Sequence, residues 1–137
     1  MGKRNDRGYT LVSVLVVLIS LSLFSIFSVA HFQRTYERYS LRTTMDLCRE
    51  LLIQAKYSSY LEKSSQKVCF YEDHASYNES ELYYLNGIQA SEICFTYTDT
   101  GNVTKAGTLL LHSKNYQMKM TIQIGGGYFE VWEIEDS

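Results

Sequence analysis

The side chains that could do chemistry are few and far apart. His31, His74 and His112 are scattered, and none has a carboxylate or cysteine at metal-ligand spacing. No metal and no cofactor is expected. Asp73 and His74 share a polar stretch with Glu72 and read as solvated groups rather than a catalytic pair. His112 falls near the end of a strand-like run, where a partly exposed sheet position accounts for it. Gly125-Gly126-Gly127 follows a strand-like run but opens no helix, so it reads as a hairpin turn and not as a phosphate loop. Cys48, Cys69 and Cys94 form no C-x-x-C pair. Outside the cytoplasm the arithmetic is one disulfide and one spare thiol. Cys69 and Cys94 both fall in strand-like runs, "KVCFY" and "EICFTY", which makes them the candidate pair. The alternative is three small buried hydrophobes. No motif favours an enzyme.

Composition narrows the partners. The chain has 137 residues and a formal net charge of -2. Removing residues 1–8 takes away Lys3, Arg4, Arg7 and Asp6 and leaves -4. Nucleic-acid binding normally rests on a positive surface, so direct DNA binding is not expected. The 12 tyrosines suit many half-buried strand positions better than base stacking.

The elements that must position these residues are legible from periodicity. Tyr9 to Ala30 is apolar apart from small hydroxyl residues, with no Lys, Arg, Asp or Glu between Arg7 and Arg34. As a helix it would rise about 33 Å, enough to cross a bilayer's hydrocarbon core. No Gly or Pro follows before residue 60. Leu41, Met45, Cys48, Leu52 and Ala55 recur at three- and four-residue steps, which is one helical face. One continuous helix from about residue 9 to about residue 60 is expected. Its first half is apolar all round and its second half amphipathic. Beyond about residue 64 the period changes. Short strands are separated by a polar loop at "DHASYNESE" and by turns at Asn86-Gly87, "DTGN" and "SKN". The clearest alternation sets Tyr116, Met118, Met120, Ile122 and Ile124 on one face. A glycine-turned hairpin then returns through "YFEVWEI". The fold class is therefore α+β: a long N-terminal helix, membrane-spanning in its first half, packed on one small antiparallel sheet. The expected segments are 1–8, 9–30 and 31–137, with helix at 31–60 and sheet at 65–135.

Three readings of the front end compete. A cleaved secretion signal has the basic start and a passable site at Ser28-Val29-Ala30, but its apolar stretch is too long. A plain membrane anchor fits the length, although basic residues on both sides leave its orientation open. The third reading uses the residues themselves. "RGYTLVSVLVVLISLSL" resembles the prepilin signal of type IV pilins and pseudopilins. In that family a dedicated peptidase cuts after a Gly on the cytoplasmic face and methylates the new N-terminus. The resemblance implies cleavage between Gly8 and Tyr9 and methylation of Tyr9. Thr10 and Leu11 match the family pattern, and Tyr9 stands where Phe is usual. Ser13 stands where the family usually has a Glu that neutralises a neighbour's N-terminal ammonium, which implies a minor subunit rather than the repeating one.

The C-terminal half, "FTYTDTGNVTKAGTLLLHSKNYQMKMTIQIGGGYFEVW", looks like the end of ComGD-type competence pseudopilins of Gram-positive bacteria, which are similar to the GspH-type minor pseudopilins of type II secretion. The resemblance implies a pilin-like fold and a membrane-anchored precursor with a cytoplasmic N-terminus. After processing, it implies a place in a surface filament serving DNA uptake in transformation. The implied partners are other minor pilins, the major competence pilin, the prepilin peptidase, an assembly ATPase, a platform membrane protein and, before assembly, membrane lipid. The alternative is a signal-anchored or secreted extracytoplasmic binding module unrelated to pili.

Overall fold

The computed structural model describes residues 6–135, with side chains described for 10–26 and 32–133. Helix α1 runs Asp6–Glu62, 57 residues without an interruption. The chain has no Pro, and no Gly lies between Tyr9 and Glu62 to break the hydrogen-bond ladder. The helix stops where Lys63 turns left-handed at φ 51, a common way to close a helix C-terminus. Asp6–Gly8, the end of the expected 1–8 leader, are helical in backbone too. Residues 1–5 lie outside the described residues.

The chain divides into two compact units, residues 1–35 and 36–137. In the first, α1 presents Leu11, Val12, Val14, Leu15, Val16, Val17, Leu18 and Ile19 to the exterior. Among the described residues no helix is long and apolar enough to cross a membrane. Of the expected 9–30 span, Tyr9 and residues 27–30 lie outside the described side chains.

In the second unit, eight strands follow the helix: β1 (Gln66–Phe70), β2 (His74–Tyr77), β3 (Ser80–Tyr83), β4 (Gln89–Ala90), β5 (Ile93–Tyr97), β6 (Gly107–His112), β7 (Tyr116–Ile122) and β8 (Phe129–Glu135). They form two four-stranded sheets and not the single sheet expected, in the orders β3-β2-β1-β5 and β4-β6-β7-β8. Every pairing is antiparallel. The sheets interleave along the chain: β4 precedes β5 but pairs with β6 in the other sheet. Local periodicity shows where strands are, not which ones pair, so the division escaped it. The Ala90 N–H, on β4, donates to the carbonyl of Glu72, in the turn between β1 and β2, at 3.0 Å, and Val103 makes a second link between the sheets. Val103 bridges both Tyr97, at the end of β5, and Gly125, beyond β7. Its N–H donates to the Gly125 carbonyl at 3.0 Å.

The five residues of the amphipathic face, Leu41, Met45, Cys48, Leu52 and Ala55, are all buried. They share one core with Val68, Phe70, Phe95 and Tyr97 from the first sheet and Leu109, Leu111, Met120 and Ile122 from the second. Burying each large apolar side chain contributes about 1.5–3 kcal/mol, and this core is what holds helix and sheets together. One polar atom is out of place in it. The Tyr97 hydroxyl is buried with no hydrogen-bond partner among the described residues, and burial pushes its pKa up to about 12. Tyr97→Phe removes that unsatisfied group. It should leave the denaturation midpoint unchanged or raise stability by about 1 kcal/mol.

The stretch "DHASYNESE" is a hairpin and not the polar loop expected. Tyr77 pairs with Ser80 around Asn78 and Glu79, whose φ values of 50 and 65 mark a two-residue type I′ turn. The strongest signal for that turn is Asn-Gly, and here Glu occupies the glycine position. Glu79→Gly should stabilise the chain by about 1 kcal/mol, read as a higher denaturant midpoint at constant slope. The alternation in β7 holds through Ile122 and ends there. Ile124 is exposed, because the chain has already left the sheet for the turn at Gly125 (φ 84).

Candidate functional site

Two surfaces have functional character, one in each unit. The first is the apolar helix itself. The hydroxyls of Ser20, Ser22 and Ser25 each donate to the carbonyl four residues back, at 2.8–2.9 Å. A serine satisfied this way presents little polarity to its surroundings, so the helix offers a nearly continuous apolar surface of modest relief. Of the residues expected to matter in processing, Gly8 and Tyr9 are helical in backbone, and their side chains lie outside the described set. Thr10, Leu11 and Ser13 are exposed on the helix. Ser13 brings no charge to this surface.

The second surface is the outward side of α1 in residues 36–62. Tyr36, Tyr39, Leu47, Tyr57 and Leu61 are exposed and fall on one stripe, completed by Thr43, Glu50 and Gln54 at three- and four-residue steps. The helix therefore has two apolar stripes, one buried against its own sheets and one bare. Sequence reading found the first. The second was hidden because tyrosines and polar residues dilute it, yet it obeys the same spacing.

Beside this stripe the helix is stitched to the second sheet. Arg38 and Arg42 both bond the carboxylate of Glu133 on β8, Arg42 at 2.5 Å. The two guanidiniums hold the Glu133 pKa below its ordinary value, Arg38 foremost. A depressed carboxylate pKa contributes stability above the unfolded value and loses it as pH falls through the folded one. With partly exposed partners the clamp is worth about 1 kcal/mol. Glu133→Gln should thus lower stability by about that much at pH 7. As pH falls below the ordinary carboxylate range and the wild-type carboxylate takes up its proton, the difference should shrink toward zero. Further along, Lys56 donates to the Gly126 carbonyl at 2.5 Å, fixing the triple-glycine turn to the helix. A cavity of about 300 Å³ opens there, lined by Ile53, Lys56, Tyr57, Tyr60, Thr100, Gly101 and Phe129.

The scattered residues stay scattered. Among the described residues no group of His, Cys, Asp and Glu could hold a metal ion. His74 stacks on Tyr71 at 4.8 Å and sits 5.5 Å from Tyr83, with its Nδ1 2.6 Å from Asp73. The His74 contact lowers the Asp73 pKa. His112 shares a hydrogen bond with Gln89, which in turn donates to Glu72. His31 lies outside the described side chains. Cys69 and Cys94 are directly opposed in the β1–β5 register and form a disulfide. Cys48 is free and buried, and desolvation pushes its pKa up to about 12, which leaves it unreactive. No family model, no curated protein and no solved structure matches this chain.

Proposed function

We propose that the protein is a minor, pilin-like subunit of a competence filament. It is made as a membrane-anchored precursor with its N-terminus in the cytoplasm and cut between Gly8 and Tyr9. The observation that carries this reading is α1: one helix runs from before the cleavage bond to Glu62, apolar and exposed from Leu11 to Ile26. Such a surface needs lipid or other helices around it. Moving from lipid into a bundle of similar helices costs little, because both surroundings are apolar. The exposed stripe at Tyr39, Leu47, Tyr57 and Leu61 supports the same reading, since it offers a helical contact to neighbours. Ser13 supports a minor role, because a repeating subunit would leave its neighbour's buried ammonium uncompensated.

On this reading the partners are other minor pilins, the major pilin, the prepilin peptidase, the assembly ATPase, the platform membrane protein and membrane lipid before assembly. The protein works by packing rather than by catalysis, and contacts DNA, if at all, through those partners. The testing experiment is N-terminal sequencing of the mature chain. Tyr9 supports the proposal. His31 would mark a secreted module and Met1 a plain anchor.

A further inference from the structure

We infer that the open edge of β8 and the adjoining groove form a docking site for an extended segment of another protein, one with carboxylates and a bulky apolar residue on one face. β8 is a seven-residue edge strand, paired with β7 on one side in unbroken register. Among the described residues no strand lies on its other side. Natural sheets blunt such edges with charges, proline, bulges, short strands or a covering element; β8 has no proline and no bulge and is long, and its charges are Glu130, Glu133 and Glu135. The opposite edge, β4, is only two residues long.

The free hydrogen-bonding positions follow from the ladder. Gln123 N–H donates to the Tyr128 carbonyl, so that pair is a bonded one. Alternation makes Glu130, Trp132 and Ile134 the positions bonded to β7. Phe129, Val131 and Glu133 then direct their N–H and C=O groups away from β7, toward an incoming strand. Those same three residues share the helix-side face, where Phe129 lines the cavity and Glu133 meets the two arginines.

The facing helix supplies the selectivity. Arg42, Arg49 and Lys56 recur every seven residues, close to two turns, and Arg38 lies one turn before Arg42. Four cations thus border the groove against two carboxylates: Glu133, which Arg38 and Arg42 already pair, and Asp46, one turn beyond Arg42. An antiparallel strand added to β8 would set one residue opposite Phe129, at a cavity of about 300 Å³. Its residues two and four positions earlier would lie opposite Val131 and Glu133, beside the cations. A large apolar side chain preceded by alternating carboxylates satisfies all three positions. Backbone pairing supplies affinity here, and the pocket and charges supply choice.

The inference does not depend on the filament reading, and its test needs no peptidase. The full chain in detergent micelles would be titrated against a labelled peptide: threonine, glutamate, valine, glutamate, valine, phenylalanine, threonine. Saturable anisotropy is expected, weakening as salt rises. Replacing both glutamates of the peptide by lysine should weaken binding about tenfold or more. Val131→Pro removes an outward N–H without touching the β7 ladder, so it should abolish binding while the thermal midpoint stays put. Three results would overturn the inference: no saturable binding to the folded chain, equal binding of the lysine peptide, or full binding by Val131→Pro. Self-association abolished by Val131→Pro, with the peptide unbound, would also overturn it by naming a second copy as the occupant.

Discussion

Co-expression with a prepilin peptidase should shorten the chain by residues 1–8 and leave a methylated Tyr9 as the first residue. Intact mass would read both changes at once. The bond proposed to be cleaved, Gly8–Tyr9, is helical in backbone. A peptidase must draw that backbone out of the helix, and Gly8 helps twice. It costs the helix about 1 kcal/mol relative to alanine, which favours local fraying, and it leaves the bond unhindered. Gly8→Ala should therefore slow processing, and Gly8→Val should leave nearly all of the chain at precursor mass. Substitutions at Ser13 should not block cleavage, because their effect falls on packing after the cut. Unchanged mass in the presence of active peptidase would remove the filament proposal.

Loss of the Cys69–Cys94 bridge should produce the largest change in stability. The disulfide closes a loop of 25 residues in sequence separation, worth about 3.5 kcal/mol in the chain-entropy account. A small domain has about 5–15 kcal/mol in total, so this is a substantial share. The paired substitution Cys69→Ala with Cys94→Ala should lower the denaturation midpoint accordingly, and reductant should do the same to the wild type. Reductant should have no further effect on the double variant, because Cys48 is buried and unpaired. A loss below about 1 kcal/mol would show that the ladder from Gln66↔Tyr97 to Phe70↔Ile93 already restrains the unfolded chain.

How far the sequence reveals this molecule depends on the range of each interaction. The helix was legible through to its amphipathic half because periodicity and the absence of breakers are local properties. Leu41, Met45, Cys48, Leu52 and Ala55 all point inward for that reason. The strands at β1 and β5–β8 were legible by alternation and glycine turns. The β2–β3 hairpin was not, because Asn78-Glu79 makes a left-handed turn without glycine. The split into two sheets was not, because it rests on which strands pair: β1 with β5, and β4 with β6 across β5. The Arg38–Arg42–Glu133 clamp spans more than ninety residues and leaves no local pattern. The apolar helix surface was legible by composition, and the bare tyrosine stripe beside it emerged only once burial separated it from the core-facing one.

The central claim is that the apolar helix ends up among like helices in a surface filament while its β-rich head remains attached. A single cysteine at Leu18, an exposed position on that helix, tests it most directly. Filaments sheared from cells would be treated with a maleimide–benzophenone reagent and irradiated, so that the thiol holds the reagent and the excited ketone inserts into a C–H bond of the neighbouring chain. The account predicts a cross-linked species joining this chain to another pilin subunit, with Tyr9 as its N-terminus. A chain absent from the sheared fraction, or present there as a monomer whose Leu18→Cys thiol reacts freely with water-soluble reagent, would contradict it.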